Sequence, residues 1–171
     1  METIFIGNTG KTPLGTIWAA VSSDGLISIE FPSSQKKFIA ELRKRYHIPI
    51  EVNAEKIADV LDQLREYAGG KRQEFMFKID WSVLNEFQRK ALKATMAIPY
   101  GEIRTYKEIA IAIGCPQGAR AVGRAEATNP MPIVLPCHRV VGSDRKLHGY
   151  GAGNGLKTKS WLLKLEGVTL A

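Results

Sequence analysis

Cysteine is nearly absent from this chain of 171 residues, which holds only Cys115 and Cys137. Two thiols cannot build a disulfide scaffold, and they suit a reducing compartment. Histidine is as sparse (His47, His138 and His148), and no CxxC or HxxxH spacing occurs, so no zinc site and no other metal site is expected. No apolar run approaches the ~18 unbroken residues of a membrane span. The opening Met1-Glu2-Thr3-Ile4-Phe5 has neither a basic leader nor a long apolar stretch, which reads against a signal peptide and for a cytoplasmic protein. The last scarcity is acid in the second half. Residues 1–80 carry 11 Lys/Arg against 11 Asp/Glu, whereas residues 81–171 carry 13 against 6, which accounts for the whole net charge of +7. A chain basic on one side only is suited to meeting a polyanion with that side.

What is present is ample core material, 44% hydrophobic, arranged as two unlike halves. In the first, runs from Leu14 to Val21 and Leu26 to Phe31 flank Ser22-Ser23-Asp24-Gly25, a hairpin signal. Ser33-Ser34 can cap a helix through Phe38, Ile39, Leu42 and Tyr46. Ile48 to Val52 reads as a short strand. Ile57, Val60, Leu61, Leu64 and Tyr67 make one face of a second helix that stops at Gly69-Gly70, and Phe75, Phe77 and Ile79 alternate as a strand would. Nothing in this half suggests chemistry. It is expected to be an α/β scaffold domain over residues 1–82, with a linker near Lys78 to Val83.

The second half, residues 83–171, opens with a helix through Phe87, Ala91, Leu92 and Met96 that ends at Pro99-Tyr100-Gly101. Thr105-Tyr106-Lys107-Glu108 has the form of a capping box and starts a short helix with Ile109, Ala110 and Ile113. Gly114-Cys115-Pro116 breaks it, and a further helix runs from Gly118 or Ala119 to about Thr128. Two short helices about a glycine-containing turn form the helix-turn-helix pattern. The second carries Ala119, Ala121 and Gly123 beside Arg120 and Arg124, small residues with two arginines at i, i+4. Major-groove readers present Asn, Gln and Arg to base edges. A helix of small residues instead permits close backbone approach to a narrow, minor groove without base-specific readout.

After Asn129-Pro130, Ile133-Val134-Leu135 has the look of a buried strand, broken at Pro136 and followed at once by Cys137, His138 and Arg139. Apolar residues resume at Val140-Val141, so the thiol is expected in a dry wall, with neighbouring cations favouring its thiolate and making it a nucleophile. His148 to Gly155 is a glycine-rich loop without the βαβ context of a nucleotide site, better suited to close approach of a bulky ligand. A last helix, about Lys157 to Glu166, packs Trp161, Leu162 and Leu165. Cys115, in the helix-helix turn, reads as structural.

Pro136-Cys137-His138-Arg139-Val140 closely resembles the active-site signature of the O6-alkylguanine-DNA alkyltransferases, also called methylated-DNA–protein-cysteine methyltransferases. The likeness extends through Asn85-Glu86-Phe87-Gln88, Ile98-Pro99-Tyr100-Gly101, Thr105-Tyr106, Ala119-Arg120-Ala121-Val122-Gly123, Asn129-Pro130, Gly149-Tyr150 and Trp161-Leu162-Leu163 to Glu166-Gly167, about half the chain in matching order. It implies an α+β protein: a ribonuclease H-like N-terminal domain, then a mainly helical, winged helix-turn-helix-like domain that binds DNA and carries the chemistry. It implies DNA repair by direct reversal, in which the alkyl group of an O6-alkylguanine passes irreversibly to Cys137; activity on O4-alkylthymine is left open.

By the same resemblance His138 is the base, acting through a water, and Glu166 orients its other nitrogen. Asn129 ties the turn to the cysteine segment, and Tyr106 donates to the leaving guanine. Arg120 fills the space of the everted nucleotide, while Val140, Tyr150 and Gly151 belong to the guanine pocket. Thr105, Tyr106, Ala119, Arg120, Ala121, Gly123 and Arg124 form the DNA face. No cofactor is implied, the partner is double-stranded DNA, and a monomer is expected.

Departures are a Tyr150–Trp161 loop about two residues longer than in the shorter members, Gly151 where some carry serine, and Arg124 where a small residue is common. A damage-binding relative without the cysteine is disfavoured by Cys137 itself. A Cys-His hydrolase leaves the helix-turn-helix and basic half unexplained, and a pure DNA-binding regulator leaves the apolar-flanked thiol without a role.

Overall fold

The computed structural model describes residues 2–170, and its contacts divide the chain between Val83 and Leu84 into two compact units. In the first, β1 (Ile4–Thr12), β2 (Gly15–Ser22) and β3 (Gly25–Glu30) run antiparallel in succession, and β4 (Ile50–Val52) joins parallel to β1, giving the order β3-β2-β1-β4. The expected hairpin closes at Ser22↔Gly25, where Gly25 takes φ +136°, a conformation without penalty only for glycine. Helix α1 (Gln35–Arg45) is capped by Ser34, whose Oγ accepts from Lys37 N at 3.3 Å. Ile4, Ile6, Trp18, Ile27, Phe38 and Leu42 form one core between the sheet and that helix. Helix α2 (Ala58–Ala68) buries Val60, Leu61, Leu64 and Tyr67.

Two expectations for this unit are corrected. Phe75, Phe77 and Ile79 do not form a strand. Only Ile79 bridges, to Leu26, while Phe75 packs its ring 5.4 Å from Tyr67 and 5.5 Å from Phe77, so ring packing rather than a ladder sets the alternation. The segment 78–83, read as a linker, is built into the first unit: Lys78 O accepts from Leu26 N at 2.9 Å, and Asp80 is buried against the Ser22 hydroxyl at 2.8 Å. Strand β1 had no sequence signal, because Asn8, Thr9 and Gly10 interrupt its apolar pattern where the pairing shifts register.

In the second unit α3 (Glu86–Met96), α4 (Tyr106–Ala112) and α5 (Ala119–Ala127) pack around Ile98, Ile109, Ala110, Val122 and Val140. Asn85 with Gln88 and Thr105 with Glu108 form complete capping boxes, which fix the starts of α3 and α4. A two-residue parallel pair, β5 (Arg104–Thr105) with β6 (Val140–Val141), joins the α4 cap to the segment after the cysteine. Helix α6 (Leu156–Leu165) closes the unit.

The apolar run before the cysteine is a turn rather than a strand. Ile133 has φ +78°, and Leu135 N donates to Met131 O at 2.9 Å. Asn129 replaces the missing ladder: its Oδ1 accepts from Met131 N at 2.9 Å and its Nδ2 donates to Leu135 O at 2.8 Å. A buried run of this length has the same composition whether straight or turned. Among the described residues no helix is long and apolar enough to cross a membrane.

Candidate active site

Pro136 fixes the approach to the thiol. Its φ −79° and ψ 66° place it at the centre of an inverse γ-turn in which Cys137 N donates to Leu135 O at 2.7 Å. Cys137, His138 and Arg139 then make one turn of 3₁₀ helix, all buried. His138 Nε2 and Glu166 Oε1, at the C-cap of α6, are 2.8 Å apart. Arg139 grips the same carboxylate in a fork, Nε to Oε2 at 2.9 Å and Nη2 to Oε1 at 2.8 Å, and its Nη1 donates to Ile98 O at 2.7 Å. A carboxylate held by three such contacts in a dry interior is fixed in place.

The thiol looks the other way, into a cavity of about 240 Å³. Tyr106 from α4, Gly123, Glu126 and Ala127 from α5, and Lys159 from α6 wall it, and residues 148–151 of the glycine loop close it. Lys159 is 1% exposed and points its ammonium inward, donating to Val140 O at 2.7 Å, Gly149 O at 3.2 Å and Tyr106 Oη at 3.5 Å. The Tyr106 hydroxyl in turn donates to His148 O at 3.0 Å.

Electrostatics correct one expectation. Burial first, then the nearby Glu126 carboxyl, push the Cys137 thiol up to about 12, against smaller opposing effects of Asn129 and Lys159. Burial lowers His138 below its ordinary value despite its bond to Glu166, and Arg139 is committed to that carboxylate. The resting site is therefore a neutral thiol beside a neutral imidazole, not a thiolate held by two cations. Burial likewise raises Tyr106 to about 12, which keeps its hydroxyl a donor.

A family profile described as "6-O-methylguanine DNA methyltransferase, ribonuclease-like domain" matches residues 6–81, and one described as "6-O-methylguanine DNA methyltransferase, DNA binding domain" matches residues 86–168. A methylated-DNA–protein-cysteine methyltransferase of Methanosarcina barkeri is 42% identical over 158 residues, 91% of this chain and 93% of that protein. The chain belongs to the methylated-DNA–protein-cysteine methyltransferase family of DNA repair enzymes. The constitutive methylated-DNA–protein-cysteine methyltransferase of Bacillus subtilis is 35% identical, with 94% of each chain covered. The crystal structure of Mycobacterium tuberculosis O6-methylguanine methyltransferase superposes with TM-score 0.76 at 34% identity, covering 95% of this chain and 92% of that one. A structure of the mycobacterial protein in complex with DNA superposes equally well, with TM-score 0.76. The two-part α+β architecture, ribonuclease-like then DNA-binding, is thus the methyltransferase fold.

Of the residues singled out from the sequence, Cys137, Tyr106, Tyr150, Gly151 and Gly123 share one cavity wall, Asn129 is tied to the turn before Cys137, and His138 is paired with Glu166 away from that cavity. Val140 contributes a backbone carbonyl, to Lys159, while its side chain lies in the core. Thr105 is a helix cap; Ala119 and Ala121 are half-buried on α5, and Arg120 and Arg124 are exposed there. None of these five lines the cavity. Cys115 is exposed in the turn between α4 and α5. A Cβ on Gly151 would stand 2.8 Å from Ala127 O, so a serine there requires a different course for the loop.

Sequence reasoning missed Lys159, Glu126 and the fork of Arg139. The signal for two of them was positional. Lys159 shares a helical stripe with Leu163 and Glu166, and Glu126 lies one turn beyond Val122, so both fall on buried faces.

Proposed function

We propose that this chain repairs DNA by taking the alkyl group of an O6-alkylguanine onto Cys137, once and irreversibly. The observation that carries the reading is Cys137 buried in the wall of a small cavity that Tyr106 also lines, and followed in the chain by His138, whose ring is held by the Glu166 carboxylate that Arg139 also grips. The cavity's ~240 Å³ lies below the ~300–1,000 Å³ of pockets for drug-sized ligands, the scale of one heterocycle. A base can enter it only when turned out of its duplex. The relatives from Methanosarcina and Bacillus are named for methylated DNA and a protein cysteine, and the mycobacterial structure holds DNA.

In the step so read, the Cys137 proton passes through a water to His138, and Glu166 stabilises the imidazolium formed. Sulfur attacks the alkyl carbon, an S–C bond forms, and the C–O bond breaks with its electron pair on the guanine. The Tyr106 hydroxyl turns its one proton from His148 O to the departing ring, lessening its charge. The product is a thioether, and no side chain at the site offers chemistry to cleave it, so the protein is consumed. Arg120 and Arg124, exposed on α5, would face the phosphates and the gap in the base stack, with Ala119, Ala121 and Gly123 allowing the helix backbone close approach. No cofactor is needed, and the reading takes the protein as a monomer on double-stranded DNA.

The test is intact-protein mass after incubation with a duplex holding one O6-methylguanine. One gain of about 14 Da per chain, S–H becoming S–CH₃, absent in Cys137→Ser, is the expected result. Tight binding of the lesion duplex with no mass gain would instead identify a damage-recognition protein.

A further inference from the structure

Glu126 is a buried acid in the wall of the thiol's cavity, and nothing in the transfer step uses it. It sits on the inner face of α5, 5% exposed, with Val122 and Ala125. Its Oε1 meets Thr95 Oγ1, and that hydroxyl also lies 3.0 Å from Ala91 O. Thr95 has one proton for two acceptors. When it goes to Ala91 O, the Thr95–Glu126 contact needs a proton from the carboxyl itself. Glu126 Oε2 is buried and has no hydrogen-bond partner among the described residues. A carboxylate with one oxygen so unsolvated is costly, and a carboxylic acid is not.

We propose that Glu126 is a proton-gated positioning residue for the acceptor thiol: alkyl transfer runs while its carboxyl is neutral and slows when the carboxyl ionises. The inference rests on Cys137 being the alkyl acceptor. Burial pushes Glu126 up to about 7, with Thr95 and Lys159 acting against it. The groups that face it are Thr95 from α3, Tyr106 from α4, Cys137 from the 3₁₀ turn and Lys159 from α6; His148 shares the cavity from the loop. Tyr106 and Cys137 are neutral at rest, so an ionised Glu126 places a negative charge beside the sulfur at the moment it must become anionic. Lys159 offsets only part of that charge, since its ammonium is held on Val140 O, Gly149 O and Tyr106 Oη rather than on the Glu126 carboxyl.

The discriminating variant is Glu126→Gln. Its amide can donate to Thr95 while its oxygen takes the place of Oε2, so it imitates the neutral acid at every pH. Single-turnover transfer from the O6-methylguanine duplex is followed from pH 5.5 to 9, in parallel with iodoacetamide alkylation of Cys137 in a Cys115→Ser background. The unmodified residue is expected to show a downward break near 7 in both reactions, and Glu126→Gln none. One unit of extra thiol pKa lowers the thiolate fraction ten-fold, and the more basic thiolate regains part, leaving about a three-fold deficit at pH 8.5. Identical profiles for the parent and Glu126→Gln would overturn the proposal. Absence of transfer from DNA with the iodoacetamide break intact would sink the alkyl-transfer reading and leave the gating of Cys137 standing.

Discussion

At the scale of single residues, Glu166 bears the most. It accepts from the His138 ring nitrogen and from two nitrogens of Arg139, and all three side chains are at most 8% exposed. Glu166→Gln removes the charge between them and leaves a buried guanidinium without its counter-ion. Breaking such a pair costs about 3–5 kcal/mol, so urea unfolding is expected to show a loss of that order together with slower transfer. An unchanged midpoint would mean that Arg139 finds another partner. The thiol and the imidazole were legible in the sequence because they sit in a dense motif, whereas this carboxylate, 28 residues beyond His138, was reached only through the family resemblance. Lys159 and Glu126 were not, since a lysine or glutamate in an amphipathic helix reads as a solvated residue until its face is known.

At the scale of elements, helices were legible where a cap or a stripe stood out: Ser34 for α1, Thr105 with Glu108 for α4, and the Val60–Tyr67 face for α2. Strands were harder to read. The run at 133–135 carries the composition of a strand but turns, because Asn129 satisfies its backbone and Ile133 takes a left-handed conformation. The expectation for α5 is electrostatic. Arg120 and Arg124 are exposed there, clear of the thiol's cavity. Replacing Arg124 by alanine is expected to weaken duplex binding uniformly across sequences and to reduce the slope of log K against log salt by about 1. A slope that does not move would place the DNA elsewhere.

At the scale of the molecule, the buried acid and the buried imidazole pull stability in opposite directions with pH. Glu126, raised from 4.5 to about 7 in the folded chain, contributes stability that is whole below the unfolded value and lost as pH rises through 7. His138, lowered from 6.5, makes stability rise with pH until the unfolded imidazole has also lost its proton. Glu126→Gln isolates the second effect. Relative to the parent, the variant is expected to gain about 3 kcal/mol between pH 4.5 and 8 in urea unfolding, two and a half pKa units at ~1.36 kcal/mol each. A constant difference across that range would show that Glu126 titrates normally. The charge imbalance between the two halves belongs to this scale as well. It was plain in the sequence and pointed to a polyanion before any fold was known.

The short ladder of Arg104–Thr105 with Val140–Val141 has a consequence for how the chain tolerates change. It is a clasp that closes a loop holding α4, α5 and the turn that presents Cys137. Closing a flexible loop costs chain entropy that grows only with the logarithm of its length, about 0.6 kcal/mol for each doubling. A few residues added in the turn between Gly114 and Gly118 therefore barely tax the clasp. The connection ahead of α5 can therefore lengthen while the thiol stays fastened where it is.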